Sequence, residues 1–143
     1  MDAKDYLDLA RKLMQMRTEA ALRSAISRGY YAAFHFGKDL VESLGFLLPK
    51  DAAAHEKLYI LLYNAGIESA KDAAIGLRRL RQRRTQADYD FGRNDLNSYY
   101  DCQKDLLQTA GVIAFCENYS SEPLRSALKK GLADYIQKIG SSN

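Results

Sequence analysis

The sequence predicts an all-α protein, an up-and-down bundle of about five to six helices. Proline is scarce: Pro49 and Pro123 are the two in the chain, and helix-favouring residues fill the long stretches between them. Alternation of apolar and polar residues between turn signals, which is typical of β-strands, does not occur. Together these observations favour a purely helical fold.

Each helix is expected where apolar residues recur at steps of three and four. The expected ranges are 2–16, 19–44, 52–64, 69–92, 95–118 and 121–139, with 141–143 as a frayed tail. The expected N-terminal caps are Thr18, Asp51, Ser69 (in a capping box with Asp72), Asn94 and Ser121. Gly45 and Pro49 are expected to end the second helix. No repeat or long linker interrupts the chain, so we expect one domain over 1–143.

The overall composition is that of an ordinary globular domain, with 143 residues, 47% hydrophobic and 27% charged, and a net charge of +3. That charge is too small to indicate a nucleic-acid binder by itself. No apolar run is long enough to span a membrane and none opens the chain, so we expect a cytoplasmic protein that does not contact membranes. Cys102 and Cys116 fit no zinc pattern; we expect free thiols, no metal and no cofactor.

The second helix carries two lines of residues side by side. One line is apolar and suits the core; its members are Ile26, Tyr30, Ala33, Gly37, Leu40 and Leu44. Gly37 would let another helix approach closely. The other line is polar; its members are Ser24, Arg28, Tyr31 and His35, with Ser27 at its border. This second line is either a satisfied polar seam, between helices or at a dimer interface, or a cleft lined by Arg28, Tyr31 and His35.

An arginine run follows on the fourth helix, in the segment GLRRLRQRRTQADYDF. Arg84 recurs with the apolar residues Leu77, Leu80, Ala87 and Phe91, so we expect it to be partly buried. Asp88 stands four residues later, where the two side chains can form an ion pair. The remaining arginines, Arg78, Arg79, Arg81 and Arg83, are expected to form a positive strip, which is either solvated or binds a polyanion.

These two segments together resemble the HEPN family, a group of helical proteins named for nucleotide binding. Ser27, Arg28, Tyr30, Tyr31, Ala32 and Phe34 match a serine-arginine-x-tyrosine-tyrosine-alanine signature. Arg84, Ala87, Asp88 and Tyr89 match a later arginine and alanine-aspartate-tyrosine signature. The resemblance covers about 5–120, including the connecting segment that opens with AHEKL, and points to small stand-alone bacterial and archaeal members.

The resemblance implies a helical bundle that forms a homodimer. It also implies either a metal-independent ribonuclease, in which an arginine and a histidine act together, or a partner of a nucleotidyltransferase in a toxin–antitoxin pair. Here no histidine follows the arginine run, and Asp88 stands near where one would be expected. An aspartate is ionised at neutral pH and protonates a leaving oxygen poorly. Arg28 and His35 have a suitable spacing, but on the second helix.

Three hypotheses therefore stand at the level of sequence. The first is a module that binds RNA, a nucleotide or a nucleotidyltransferase without cleavage, through Arg78, Arg79, Arg81, Arg83, Tyr31 and Tyr89, with Phe91 as a further stacking face. The second is an atypical ribonuclease; its candidate catalytic residues are Arg84, Asp88, Arg28 and His35. The third is a helical bundle whose arginines are solvated or locked in ion pairs.

Overall fold

The predicted fold class is confirmed by a computed structural model, which describes residues 2–92 and 98–141. Within these ranges the chain is helical and contains no strand. In chain order the helices are α1 (Ala3–Met16), α2 (Glu19–Ser43), α3 (Ala53–Tyr63), α4 (Glu68–Tyr89), α5 (Tyr99–Asn118) and α6 (Leu124–Ser141). The expected ranges agree with these bounds to within a few residues, the usual uncertainty at helix ends.

Thr18 is confirmed as a helix cap, whereas Asp51 lies one residue before the cap position of its helix. The hydroxyl of Thr18 accepts from the backbone N–H of Ala21 at 3.2 Å, at the start of α2. The carboxylate of Asp51 accepts from the N–H of Ala53 at 2.9 Å, although the cap position itself belongs to Ala52. Side chains thus satisfy backbone donors that the first helical turn leaves without partners.

Other predicted helix ends were wrong. α4 begins at Glu68 without a side-chain cap, and the Ser69 hydroxyl instead contacts the Tyr119 hydroxyl at 2.9 Å, so the capping box does not form. Asn94 lies outside the described residues, and Ser98 caps α5 by accepting from Asp101 N–H at 3.2 Å. At the other end of the chain, α6 begins at Leu124 rather than in the preceding turn and continues to Ser141.

α2 runs through the centre of the bundle and packs against α1, α3, α4 and α5. The apolar line predicted on it is buried: Ile26, Tyr30, Ala33, Gly37, Leu40 and Leu44. Gly37 meets α3, where an added Cβ would stand 2.9 Å from a methyl carbon of Leu58. The close approach predicted at Gly37 is therefore confirmed, and it brings α3 against the part of α2 that carries the polar line.

Both cysteines are buried free thiols. Burial raises the pKa of Cys102 and of Cys116 to about 12, so neither is a thiolate near neutral pH. Among the described helices, none combines the length and the apolar character that crossing a membrane requires.

Candidate functional site

The two signature segments contact each other where α2 packs against α4. The Ser27 hydroxyl donates to Oδ2 of Asp88 at 3.3 Å. Nε of Arg84 lies 3.1 Å from the same oxygen, while its Nη2 donates to the Tyr31 hydroxyl at 2.6 Å. The predicted Arg84–Asp88 contact is therefore present, and it belongs to a network that joins both helices.

This network is only partly accessible to solvent. The Arg84 side chain is 22% exposed and that of Asp88 is 30% exposed. The guanidinium of Arg84 also lies 5.1 Å from the centre of the Tyr31 ring, close enough for a cation–π interaction. Arg84 is consequently held in one orientation by a carboxylate, a phenol oxygen and an aromatic face. Ser27 and Tyr31 are both hydrogen-bonded to residues of α4, so these two members of the polar line form a satisfied seam between helices.

A cavity of about 520 Å³ opens beside this network, between α2, α4 and the segment that leads into α3. We call it the basic cavity. Its lining residues are Tyr31, Phe34, His35, Lys38, Pro49, Lys50, Asp51, Ala52, Ala54, His55, Arg81 and Arg84. Four of them carry a fixed positive charge and one a negative charge, so the cavity should attract anions. It also brings together the only two histidines of the sequence.

His55, on α3, is the main residue of this site that the sequence analysis missed. Its ring stacks on Phe34 at 4.2 Å between centroids, and the Phe34 ring also contacts His35 at 5.5 Å. In the sequence, His55 lies in the AHEKL segment, which belongs to the family resemblance but matches neither of its two signatures. Its histidine gave no separate signal, because the packing of α3 on α2 decides where the ring points.

The His55 ring forms a short hydrogen bond through Nδ1 with the hydroxyl of Tyr30. Burial raises the pKa of Tyr30 well above its usual range, so the phenol keeps its proton. Burial, and then the charges of Arg81 and Arg84, lower the pKa of His55, which is therefore neutral near pH 7. Neutral histidine has one donor and one acceptor nitrogen, so the role of Nε2 depends on which group donates in the Tyr30 contact.

A second cavity, of about 440 Å³, lies on the other side of His55 and Phe34. We call it the aromatic cavity. Its lining residues are Tyr30, Phe34, His55, Glu56, Leu58, Tyr59, Leu77, Arg78, Arg81, Gln82, Thr85 and Gln86. Phe34, His55 and Arg81 line both cavities, which are therefore neighbours.

The arginine run does not form the single positive strip that we predicted. Arg79 and Arg83 turn towards α5, where each lies 2.9 Å from a carboxylate oxygen of Asp105. Arg78 turns towards α3 and contacts Glu56 at 3.5 Å. The carboxylate partners of these arginines lie on α3 and α5, so spacing along α4 does not predict them.

Asp105 is the most deeply buried acid of the described chain, with 0% of its surface exposed. The Arg83 side chain beside it is 12% exposed, so Arg83 does not belong to an exposed positive strip. Arg81, in contrast, lines both cavities and makes no ion pair with a carboxylate among the described residues.

Other predicted site residues lie elsewhere. Arg28 is exposed and does not line the basic cavity, so the predicted cleft shared by Arg28 and His35 does not form within this chain. Tyr89 is 70% exposed at the end of α4. Phe91 is 75% exposed because α4 ends before it, so its predicted place on the apolar face was also wrong.

His35 and Asp39, which lie four residues apart on α2, both line a further cavity beside α1. The His35 ring stacks against Tyr6 there at 5.9 Å. Within residues 2–92 and 98–141, however, no group of three histidine, cysteine or acidic side chains is placed to hold a metal ion. Comparison with protein-family models, with curated proteins and with solved structures finds no match for this chain.

Proposed function

We propose that this chain is a HEPN-like module that binds RNA, and that the basic cavity holds an RNA phosphate. The observation that carries the proposal is the convergence of Arg81, Arg84, Lys38 and Lys50 on one cavity. Both signature segments contribute to that cavity, Tyr31 from the first and Arg84 from the second. The proposal therefore uses the residues that carry the family resemblance as well as a feature of the fold.

The charges of the basic cavity differ in how firmly they are engaged by the protein. Arg84 is held by Asp88 and Tyr31, and Lys38 lies 3.7 Å from Glu42. Arg81 makes no such ion pair in the described part of the chain. The oxygens of a phosphate are the acceptors that the Arg81 guanidinium would bind. Arg84 is already held in one orientation, so it would need little reordering to contact the same phosphate.

Binding of labelled single-stranded RNA at low and moderate salt tests this proposal. Lys50→Gln should weaken RNA binding several-fold, because Lys50 lines the basic cavity. Each lost contact between a cation and a phosphate reduces the counterion release that favours binding. Arg11→Gln is the matched control, since Arg11 is an exposed cation on α1, away from the cavity. Equal losses in both variants, or no retention of RNA at low salt, would contradict the proposal.

A second candidate function is a metal-independent ribonuclease, which is favoured by the two histidines that border the basic cavity. In such a reaction one group removes the proton of the ribose 2′-hydroxyl, whose oxygen attacks the phosphorus. Another group then gives a proton to the departing 5′-oxygen. His55 and His35 are the candidates for these two roles, and Arg84 would stabilise the extra negative charge on the phosphate.

Cleavage of labelled RNA in the presence of a chelator decides between these functions. A ribonuclease should lose activity in His55→Ala and in His35→Ala while RNA retention persists. RNA that is retained but stays intact for hours would leave the binding module as the function.

The resemblance also leads us to propose a homodimer and a nucleotidyltransferase partner in a toxin–antitoxin pair. Exposed apolar residues on α4 and α5 support an interface on that side; Ile75 is 48% exposed and Leu107 is 67% exposed. Co-expression with a nucleotidyltransferase encoded beside this chain, followed by co-purification, tests the partner. A nucleotidyltransferase that elutes separately would contradict it. A cytoplasmic location stays a prediction.

A further inference from the structure

We propose that the aromatic cavity is a base subsite, which receives the nucleobase attached to the phosphate in the basic cavity. This inference rests on the proposed function, because it assigns a second part of the same ligand. The ligand is a nucleoside phosphate unit, either as a free mononucleotide or as one unit of an RNA chain.

The positions of the two cavities carry the first step of the argument. Phe34, His55 and Arg81 line both cavities and separate them. A ligand that extends past these three side chains would therefore contact both cavities. A nucleotide carries its base and its phosphate on different carbons of one ribose, and two neighbouring cavities suit that arrangement. The volume of about 440 Å³ lies within the range of pockets that hold small molecules.

The chemistry of the lining carries the second step. Each cavity is lined by four rings, which in the aromatic cavity are those of Tyr30, Phe34, His55 and Tyr59. Charge separates the two: the basic cavity has four cationic side chains and one acid, whereas the aromatic cavity has two arginines and one acid. Every base has flat faces that stack on such rings, and this stacking accepts any sequence. The aromatic cavity therefore offers what a base requires and the basic cavity what a phosphate requires.

Tyr59 is the ring best placed to serve as the stacking surface. It is partly buried on α3, and the guanidinium of Arg78 lies 4.2 Å from the centre of its ring, so a base would stack on the opposite face of the ring or replace the guanidinium. Glu56 in turn contacts Arg78, so the ring and the cation over it belong to one supported group. Tyr30 is fully buried, and the His55 and Phe34 rings stack on each other, which leaves those faces less available.

The polar edge of a base would meet α4. Gln82, Thr85 and Gln86 line the aromatic cavity at steps of three and four residues, on one face of that helix. The glutamine amides carry both donors and acceptors, and so does a base edge. Gln82 is exposed and is therefore able to reorient towards a bound base.

Binding measurements with three probes test the base subsite: adenosine 5′-monophosphate, ribose 5-phosphate and a short adenine-containing RNA. We expect Tyr59→Leu to weaken the binding of the nucleotide, or of the RNA, about tenfold, as expected for loss of one stacked base. Binding of ribose 5-phosphate, which has no base, should not change. Tyr59→Phe keeps the ring and should bind as the parent protein does.

Tyr63→Leu is the matched control. Tyr63 lies one turn further along α3, with its ring 5.4 Å from that of Tyr59, but it does not line the aromatic cavity. Thermal unfolding of each variant, compared with the parent, separates loss of binding from loss of fold. An effect seen with the free nucleotide assigns that source, and an effect confined to the RNA assigns the base to a longer chain.

The possible failures are distinguishable. If Lys50→Gln weakens RNA binding while Tyr59→Leu changes no probe, the basic cavity stands and the base subsite is wrong. The base subsite is equally wrong if Tyr59→Leu weakens ribose 5-phosphate as much as the nucleotide. If no phosphate compound binds, both proposals are wrong.

Discussion

Replacement of Asp105 should destabilise this protein more than replacement of any surface acid. Its carboxylate is fully buried, and its two oxygens lie 2.9 Å from Arg79 and 2.9 Å from Arg83. Asp105→Ala removes the counter-charge from an Arg83 side chain that is only 12% exposed. Loss of one partner from a buried ion pair costs about 3–5 kcal/mol. The whole free energy of unfolding of such a domain is about 5–15 kcal/mol.

The Arg79 side of the cluster should contribute less. The Arg79 side chain is 44% exposed, and solvent screens such a pair, so Arg79→Ala should cost about 1 kcal/mol or less. Arg83→Ala should cost more, because the Arg83 side chain is 12% exposed, whereas Arg79, which would remain beside the buried carboxylate, is 44% exposed. The coupling free energy of Asp105 with Arg83 should therefore exceed that of Asp105 with Arg79.

Urea unfolding of the single and double mutants measures these free energies. Asp134→Ala is the matched control: its contact with Lys130 is as short, at 2.7 Å, but both side chains are largely exposed. We expect no change in that control beyond the error of the measurement. An Asp105→Ala variant as stable as Asp134→Ala would refute the reasoning that burial, rather than contact distance, decides the strength of these pairs.

Four further predictions concern other parts of the chain. Arg84→Ala and Asp88→Ala should each cost about 1–2 kcal/mol and should be coupled in the double mutant, since both side chains are less than one-third exposed; strictly additive losses in urea unfolding would contradict this. Because the pKa of His55 lies below 6.5, the unfolded chain binds that proton first, so stability should fall as pH drops below 6.5, and His55→Gln should flatten that slope; an unchanged slope would show that other groups cause it. Gly131→Ala should lower the melting temperature by several degrees, because an added Cβ would stand 2.1 Å from the carbonyl oxygen of Ala65; a melting temperature equal to that of the parent would rule out this close contact. Sedimentation at micromolar concentration should show a species of twice 16.1 kDa, and a monomer throughout would contradict the homodimer.

The sequence predicted the helices and the apolar face of α2 because both follow local rules. Periodicity placed Tyr30 and Gly37 in the core, and helical geometry placed Arg84 beside Asp88, since residues four apart lie on the same side of a helix. These inferences need no knowledge of how the helices pack.

The same local rules do not predict which side chains of different helices contact each other. Asp105 looked like an ordinary acid on α5, and its role depends on the packing of α5 against the arginines of α4. His55 likewise enters the site through the packing of α3, since its stacking partner is on α2. Arg28 shows the opposite error: its spacing from His35 was suitable, but the side chain lies outside the basic cavity.

The adjacent residues Tyr30 and Tyr31 reach different helices, which has a consequence for how a ligand would bind. Tyr30 contacts His55 on α3, and Tyr31 contacts Arg84 on α4. These two contacts therefore connect α2 to both helices and hold the histidine and the arginine side chains in place. Under the proposed function, a phosphate would meet side chains that are already ordered and would bind with little loss of conformational entropy.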